Sequence, residues 1–187
     1  MRLEQDIPDT ELLARIAGQD MTAMEALYHR HAPAVRRFIA QLIKDPFEVS
    51  DVLQTTMLDV WRKAGSFEGR SGGRTWVLSI ARYKAIDHLR RHARVAPADP
   101  MSETLEEIDT QSAETALSAA QDAAALRACI AQLPDAQKTA IHLAFFQDLT
   151  YAEVAEIEGV PEGTVKTRIY HAKKLLMRCL ASKSKKD

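Results

Sequence analysis

LTYAEVAEIEGVPEGTVKTRIYHAKK, residues Leu149 to Lys174, reads as two short helices around a tight turn, the second of them basic. Thr150 can cap the first helix, and Glu153 three residues on completes a capping box that satisfies two free backbone N–H groups. Gly159 supplies the permissive backbone a turn needs, and Pro161 suits the entry to the next helix. From Val165 the apolar positions Val165, Ile169, Ala172 and Leu176 share one face, while Lys166, Thr167, Tyr170, His171, Lys173 and Lys174 fall largely on the other. Ala155, Gly159 and Val165 are spaced as a helix-turn-helix requires: small where the helices cross, flexible at the turn, apolar beneath the second helix. A cationic, hydrogen-bonding helix face of a size that enters a major groove points to duplex DNA. The plainer alternative is a helical hairpin with a solvated lysine face.

Outward from that stretch, the chain of 187 residues is poor in Gly and Pro, rich in helix formers and free of β-branched runs, which predicts an all-α protein. No apolar run is long enough to span a bilayer, and MRLEQDIPDTE lacks the regions of a signal peptide, so a cytoplasmic protein without membrane insertion is expected. Cys129 and Cys179 form no metal or redox spacing and are read as reduced, partly buried thiols. A net charge of −1 argues against a nucleic-acid partner only until its distribution is considered. Arg62, Lys63, Arg70, Arg74, Arg82, Lys84, Arg90, Arg91 and Arg94 form one basic block. Val95 to Leu126 holds no Lys or Arg but collects Asp99, Glu103, Glu106, Glu107, Asp109, Glu114 and Asp122. The chain turns basic again after Gly163. Two basic blocks around an acidic tract make the near-neutral total misleading.

In chain order, Asp9 or Thr10 can cap a short first helix with Leu12, Leu13 and Ile16 on its apolar side, and Gly18 ends it. Asp20 can cap a longer second helix, which Pro33 is expected to kink or divide. His29 and His31, two residues apart on a helix, point in different directions and are read as surface residues rather than metal ligands. After the Asp45-Pro46 turn, Val49, Val52, Leu53, Met57, Val60 and Trp61 fall at helical spacing, with Asp51, Gln54, Thr55, Leu58 and Asp59 turned elsewhere. Residues 65–73 are too rich in Gly and Ser to be helical. A fourth helix from about Arg74 to Arg91 interleaves Trp76 and Tyr83 with Arg and Lys, a pattern that suits unpaired bases on the rings and phosphates on the cations. The alternative is that both aromatics are core residues. Three segments follow: a domain over 1–95, an acidic linker over 96–118 carrying Pro97 and Pro100, and a second domain over 119–187, in which Pro134 breaks a helix and Asp135 caps the next.

Together these parts resemble a bacterial RNA polymerase sigma factor of the extracytoplasmic-function (ECF, group IV) family. DVLQTTMLDVWRKAGSF and RTWVLSIARYKAIDHLRR resemble its region 2, and LPDAQKTAIHLAFFQDLTYAEVAEIEGVPEGTVKTRIYHAKKLL its region 4. The resemblance implies two small helical domains joined by a flexible acidic linker, with core RNA polymerase and promoter DNA as partners and an anti-sigma factor as regulator. It places Asp51, Gln54, Leu58 and Trp61 on the polymerase-facing surface. It places Phe67, Ser71 and Arg74 in the loop that takes a flipped −10 base, with Trp76, Tyr83, Lys84 and Asp87 nearby and Arg90, Arg91 and Arg94 on phosphates. For the −35 element it implies Lys166, Thr167, Tyr170 and His171, with Arg168 and Lys174 as backbone or secondary contacts. Two positions depart from the family: Gln54-Thr55 stands where Gln-Glu is common, and Tyr83 where Asn is common. A ring with one hydroxyl in place of an amide points to a different −10 preference.

No nucleophile–base–orienter set, metal cluster or phosphate-cradling loop is visible, so neither covalent chemistry, a cofactor nor a small-molecule substrate is expected. The rival reading is a dimeric helix-turn-helix regulator with an N-terminal sensor domain, which explains the last third of the chain but not the basic aromatic helix.

Overall fold

The computed structural model describes residues 7–93 and 123–183, so the acidic linker lies outside the described residues. Within them the protein is all-helical: α1 (Asp9–Ala17), α2 (Met21–Leu42), α3 (Pro46–Lys63), a 3-10 turn (Ala64–Ser66), α4 (Gly73–Ala93), α5 (residues 123–131), α6 (Asp135–Ile141), a π-turn (His142–Phe146), α7 (Tyr151–Glu158) and α8 (Glu162–Lys183).

Short polar side chains start the helices, though not always where the spacing predicts. Asp20 caps α2 by accepting from the N–H of Thr22 and Ala23, and Asp45 caps α3 with Pro46 in the first turn. Neither Asp9 nor Thr10 caps α1, whose N-cap is Pro8. Asp9 is drawn away by stronger partners: its carboxylate receives Arg30 Nη1 at 2.7 Å and meets His31 Nε2 at 2.8 Å. Burial alone would raise the Asp9 pKa, but the His31 and Arg30 contacts outweigh it and hold the carboxyl below its ordinary value. His31 is therefore buried and structural, whereas its expected twin His29 is exposed. Pro134, not Asp135, likewise occupies the N-cap of α6. Helix α2 continues undivided through Pro33.

The first four helices enclose an aliphatic core in which Leu12, Leu13, Ile16, Leu27, Val35, Phe38, Ile39 and Val60 are fully buried. Asp59, expected to face away, points inward instead and is bound by Lys63 and Lys84, each at 2.9 Å. Gly73 starts α4 against α1, and a Cβ there would lie 2.4 Å from Asp9 Cβ. No larger residue fits without displacing α1.

Helices α5 to α8 form the second half, and it packs on the first. Buried apolar residues of both halves belong to one contiguous cluster, which leaves out Ala34 and the α5 residues Cys129 and Ile130. Gln147, almost wholly buried, joins them: its Oε1 accepts from Arg74 Nη2 at 2.7 Å, and its Nε2 lies 3.4 Å from both the Ala34 carbonyl and His142 Nε2. Thr75 donates to Glu153 Oε1 at 3.1 Å, and the His142 ring sits 6.3 Å from that of Phe38. The cysteines correct the sequence reading. Cys129 of α5 and Cys179 of α8 are joined in a disulfide with Cα atoms 5.9 Å apart, because the two helices lie side by side despite a sequence separation of 50.

Candidate nucleic-acid interface

The helix-turn-helix forms as its spacing predicts. Thr150 accepts from the Glu153 N–H at 3.3 Å, and Glu153 Oε2 accepts from the Thr150 N–H at 2.9 Å. Burial would raise the Glu153 pKa, yet the Thr150 and Thr75 hydrogen bonds hold it below its usual value. Gly159 takes the left-handed conformation at φ 64°, which lets α7 stop and α8 begin within three residues. Val165, Ile169 and Ala172 are buried, so their spacing turns Lys166, Thr167, Tyr170, His171 and Lys174 outward, and all five are exposed.

Those outward groups are not independent. Lys166 pairs with Glu162 at 2.8 Å, which raises its pKa. Thr167 donates its hydroxyl to the Gly163 carbonyl. Lys174 Nζ lies 4.5 Å from the centre of the Tyr170 ring, and the Tyr170 and His171 rings meet edge to face at 5.5 Å. Arg168 behaves differently: it turns back to pair with the buried Glu158 of α7. Burial raises the Glu158 pKa in spite of that partner, so the pair reads as a brace between the two helices of the motif.

On α4, spacing separates two faces. Thr75 and Leu78 are buried, with Arg74 and Thr75 bonded to the second half. Trp76, Tyr83, Asp87 and Arg90 follow the opposite row, and Tyr83 is 66% exposed. Trp76 is half-buried and packs on Phe67 with ring centres 5.4 Å apart, so one aromatic is partly core and the other free. Lys84 is tied to Asp59, and Asp87 pairs with Arg91 at 3.1 Å. Burial opposes ionisation of Asp59, but Lys63 and Lys84 hold its carboxyl below the ordinary range. Ser71 lies half-buried in the loop before α4. Along α3, Asp51, Gln54 and Leu58 are exposed and Trp61 half-buried, in one outward stripe. Nothing in the sequence pattern marks Gln147 or Glu158, since polar residues at interior positions are legible only once their partners are in place.

This geometry defines a two-part helical protein, with a helix-turn-helix in one half and a basic aromatic helix in the other. Residues 27–95 match the family Sigma-70 region 2, and residues 123–176 match Sigma-70, region 4. The ECF RNA polymerase sigma factor RpoE of Cereibacter sphaeroides is 35% identical over 156 residues, covering 81% of this chain and 82% of that protein. RNA polymerase sigma-H factor of Pseudomonas aeruginosa is 29% identical over 92% of this chain and 93% of its own. Among solved structures, RpoE of Bartonella quintana in complex with the anti-sigma factor NepR superposes with a TM-score of 0.70 at 23% identity, covering 84% of this chain and 96% of that one. CnrH in complex with the cytosolic domain of CnrY gives 0.66 at 23% identity, over 93% and 97%. The chain belongs to the ECF family of RNA polymerase sigma factors. With region 2 filling the N-terminal half, the sensor-bearing dimeric regulator is not favoured. No helix among the described residues is long and apolar enough to cross a membrane.

Proposed function

We propose that this sigma factor binds core RNA polymerase through Asp51, Gln54, Leu58 and Trp61, reads a −35 element with α8, and captures an unpaired −10 strand with α4 and the loop before it. The observation that carries the reading is the outward row Lys166, Thr167, Tyr170 and His171, exposed on a helix whose opposite face is buried. These side chains offer a cation, a hydroxyl, a phenol and an imidazole, which suit the mixed acceptors and donors of a major-groove edge. Arg168 supports that row by bracing α8 on α7. For the −10 strand, Phe67, Ser71, Arg74, Trp76 and Tyr83 supply ring faces and a cation, with Lys84, Asp87, Arg90 and Arg91 beyond them. Unstacking a base costs a few kcal/mol, which stacking and phosphate contacts offset. In the docked arrangement Arg74 is occupied by Gln147. Promoter engagement therefore includes parting the two halves, and core polymerase sets their new spacing. An anti-sigma factor is the expected regulator, as in the complexes of the two structural relatives.

Run-off transcription tests this. Promoter-specific product should require both core enzyme and this chain. Lys166→Ala and His171→Ala should each weaken −35 discrimination by roughly 1–3 kcal/mol for every base-edge hydrogen bond removed. Product from core enzyme alone, or an unchanged base preference in both variants, overturns the reading.

A further inference from the structure

We propose that Glu48, His88 and His92 form a binding site for a divalent transition-metal ion of the zinc type. His88 and His92 lie one turn apart on α4, within DHLRRH, and their rings stack with centres 4.2 Å apart. Glu48, in the first turn of α3, brings Oε2 to 3.1 Å from His88 Nε2 and Oε1 to 3.4 Å from His92 Nδ1. One ligand atom from each residue falls within 4.8 Å of the other two.

Ligands about 2.0–2.1 Å from a tetrahedral zinc stand roughly 3.3–3.4 Å apart. The two carboxylate–imidazole spacings are of that order but use different Glu48 oxygens, so a small turn of the carboxylate lets one oxygen serve both imidazoles. The third edge, between the imidazoles, closes by turning the exposed His92 ring. His88 Nε2 is shielded from solvent and makes no hydrogen bond despite the nearby carboxylate. A buried ring nitrogen without a partner is costly, and a metal lone-pair bond would satisfy it. Two imidazoles and one carboxylate suit Zn(II), Ni(II) or Cu(II) over Mg(II) or Ca(II), which prefer all-oxygen shells. Three protein ligands leave a fourth position for water. The ion would pin the end of α4, beside Arg90 and Arg91, to the start of α3. The site does not depend on how promoter DNA is read.

Spacing in the sequence predicts no metal cluster and draws attention only to His29 and His31. The pair that matters is spaced four apart, where a helix does bring two side chains onto one face.

The test uses full-length protein without a histidine tag, stripped with chelator and with Cys129–Cys179 oxidised. Titration with Co(II) should give the ligand-field absorption of four-coordinate cobalt, saturating at a single equivalent and bleached by Zn(II). His92→Gln and Glu48→Gln should each lower the affinity by at least the roughly 10–100-fold that loss of an outer-shell partner costs. Zinc should raise the thermal midpoint of the unaltered chain and of His29→Gln, but not of His92→Gln. Because His92 is exposed, its variant keeps the fold even if a His88 variant does not. No saturable binding, binding unchanged in His92→Gln, or binding abolished in His29→Gln would each overturn the site.

Discussion

The two halves are stabilised by different means. Among the largest side chains with no solvent contact, the first half supplies Leu12, Leu13, Ile16, Leu27, Phe38, Ile39 and more, while the second supplies Leu143 and the polar Gln147. The first half pairs its buried charges internally, as in Asp9 with Arg30 and His31 and Asp59 with Lys63 and Lys84. In the second, Gln147 and Glu153 reach across to Arg74 and Thr75, and a disulfide closes α5 on α8. The second half is closed covalently and adds polar contacts across a junction whose apolar residues belong to the shared cluster.

The contrast can be broken most severely from the first half. Phe38→Ala removes a fully buried ring that also faces His142, and should cost about 3–5 kcal/mol in urea unfolding. Reducing Cys129–Cys179 opens a loop of sequence separation 50 and should cost about 2–4 kcal/mol. Both tryptophans lie in the first half. Reduction should therefore lower the helical signal's melting point before it alters tryptophan emission; simultaneous loss of both signals would make the second half no weaker than the first.

Acid should separate the halves before it unfolds the first. Burial, helped by Arg37, lowers the His142 pKa from 6.5 to about 4. The unfolded chain then takes up a proton that the native one refuses, so stability is full above pH 6.5 and falls as pH drops towards 4, by up to about 3 kcal/mol. Asp9 and Asp59, with pKa values lowered below 3.8, keep their full contribution down to about 3.8 and lose it as the pH falls from there through the lowered values. A stability–pH curve should show the earlier loss, and His142→Gln should flatten it. Gln147→Ala leaves Arg74 without its acceptor and should cost about 1–3 kcal/mol. Faster amide exchange at the start of α4 and in α7, with the rest of α2 and α3 unchanged, would locate that loss at the junction.

How far the sequence carries differs along the same lines. Thr150, Glu153, Gly159 and Val165 act locally, within a turn of one another, and their roles follow from spacing alone. The apolar row of α3 is equally legible, because burial there repeats with the helix. Four expectations fail where a residue answers to something remote: Asp9 to Arg30, His31 to Asp9, Asp59 to Lys84, and Cys129 to Cys179. Gln147 is silent for the same reason. Besides the nearby His142, its partners lie on α2 and α4, more than 70 residues away in the case of Arg74. At the candidate interface, spacing puts Lys166, Thr167, Tyr170, His171 and Lys174 on an outward face but cannot tell that Arg168 turns back to Glu158.

The docking of α7 on α4 also has a meaning in time. While the halves are joined, the outward row of α8 is complete and exposed, whereas the α4 set lacks Arg74. On the proposed reading, a duplex meeting the closed chain finds every group that reads base pairs but not every group that holds a separated strand. Double-stranded recognition is available first, and strand capture only after Gln147 lets go. On that reading the Arg74–Gln147 bond, with the rest of the junction, would order two events that the sequence merely places side by side.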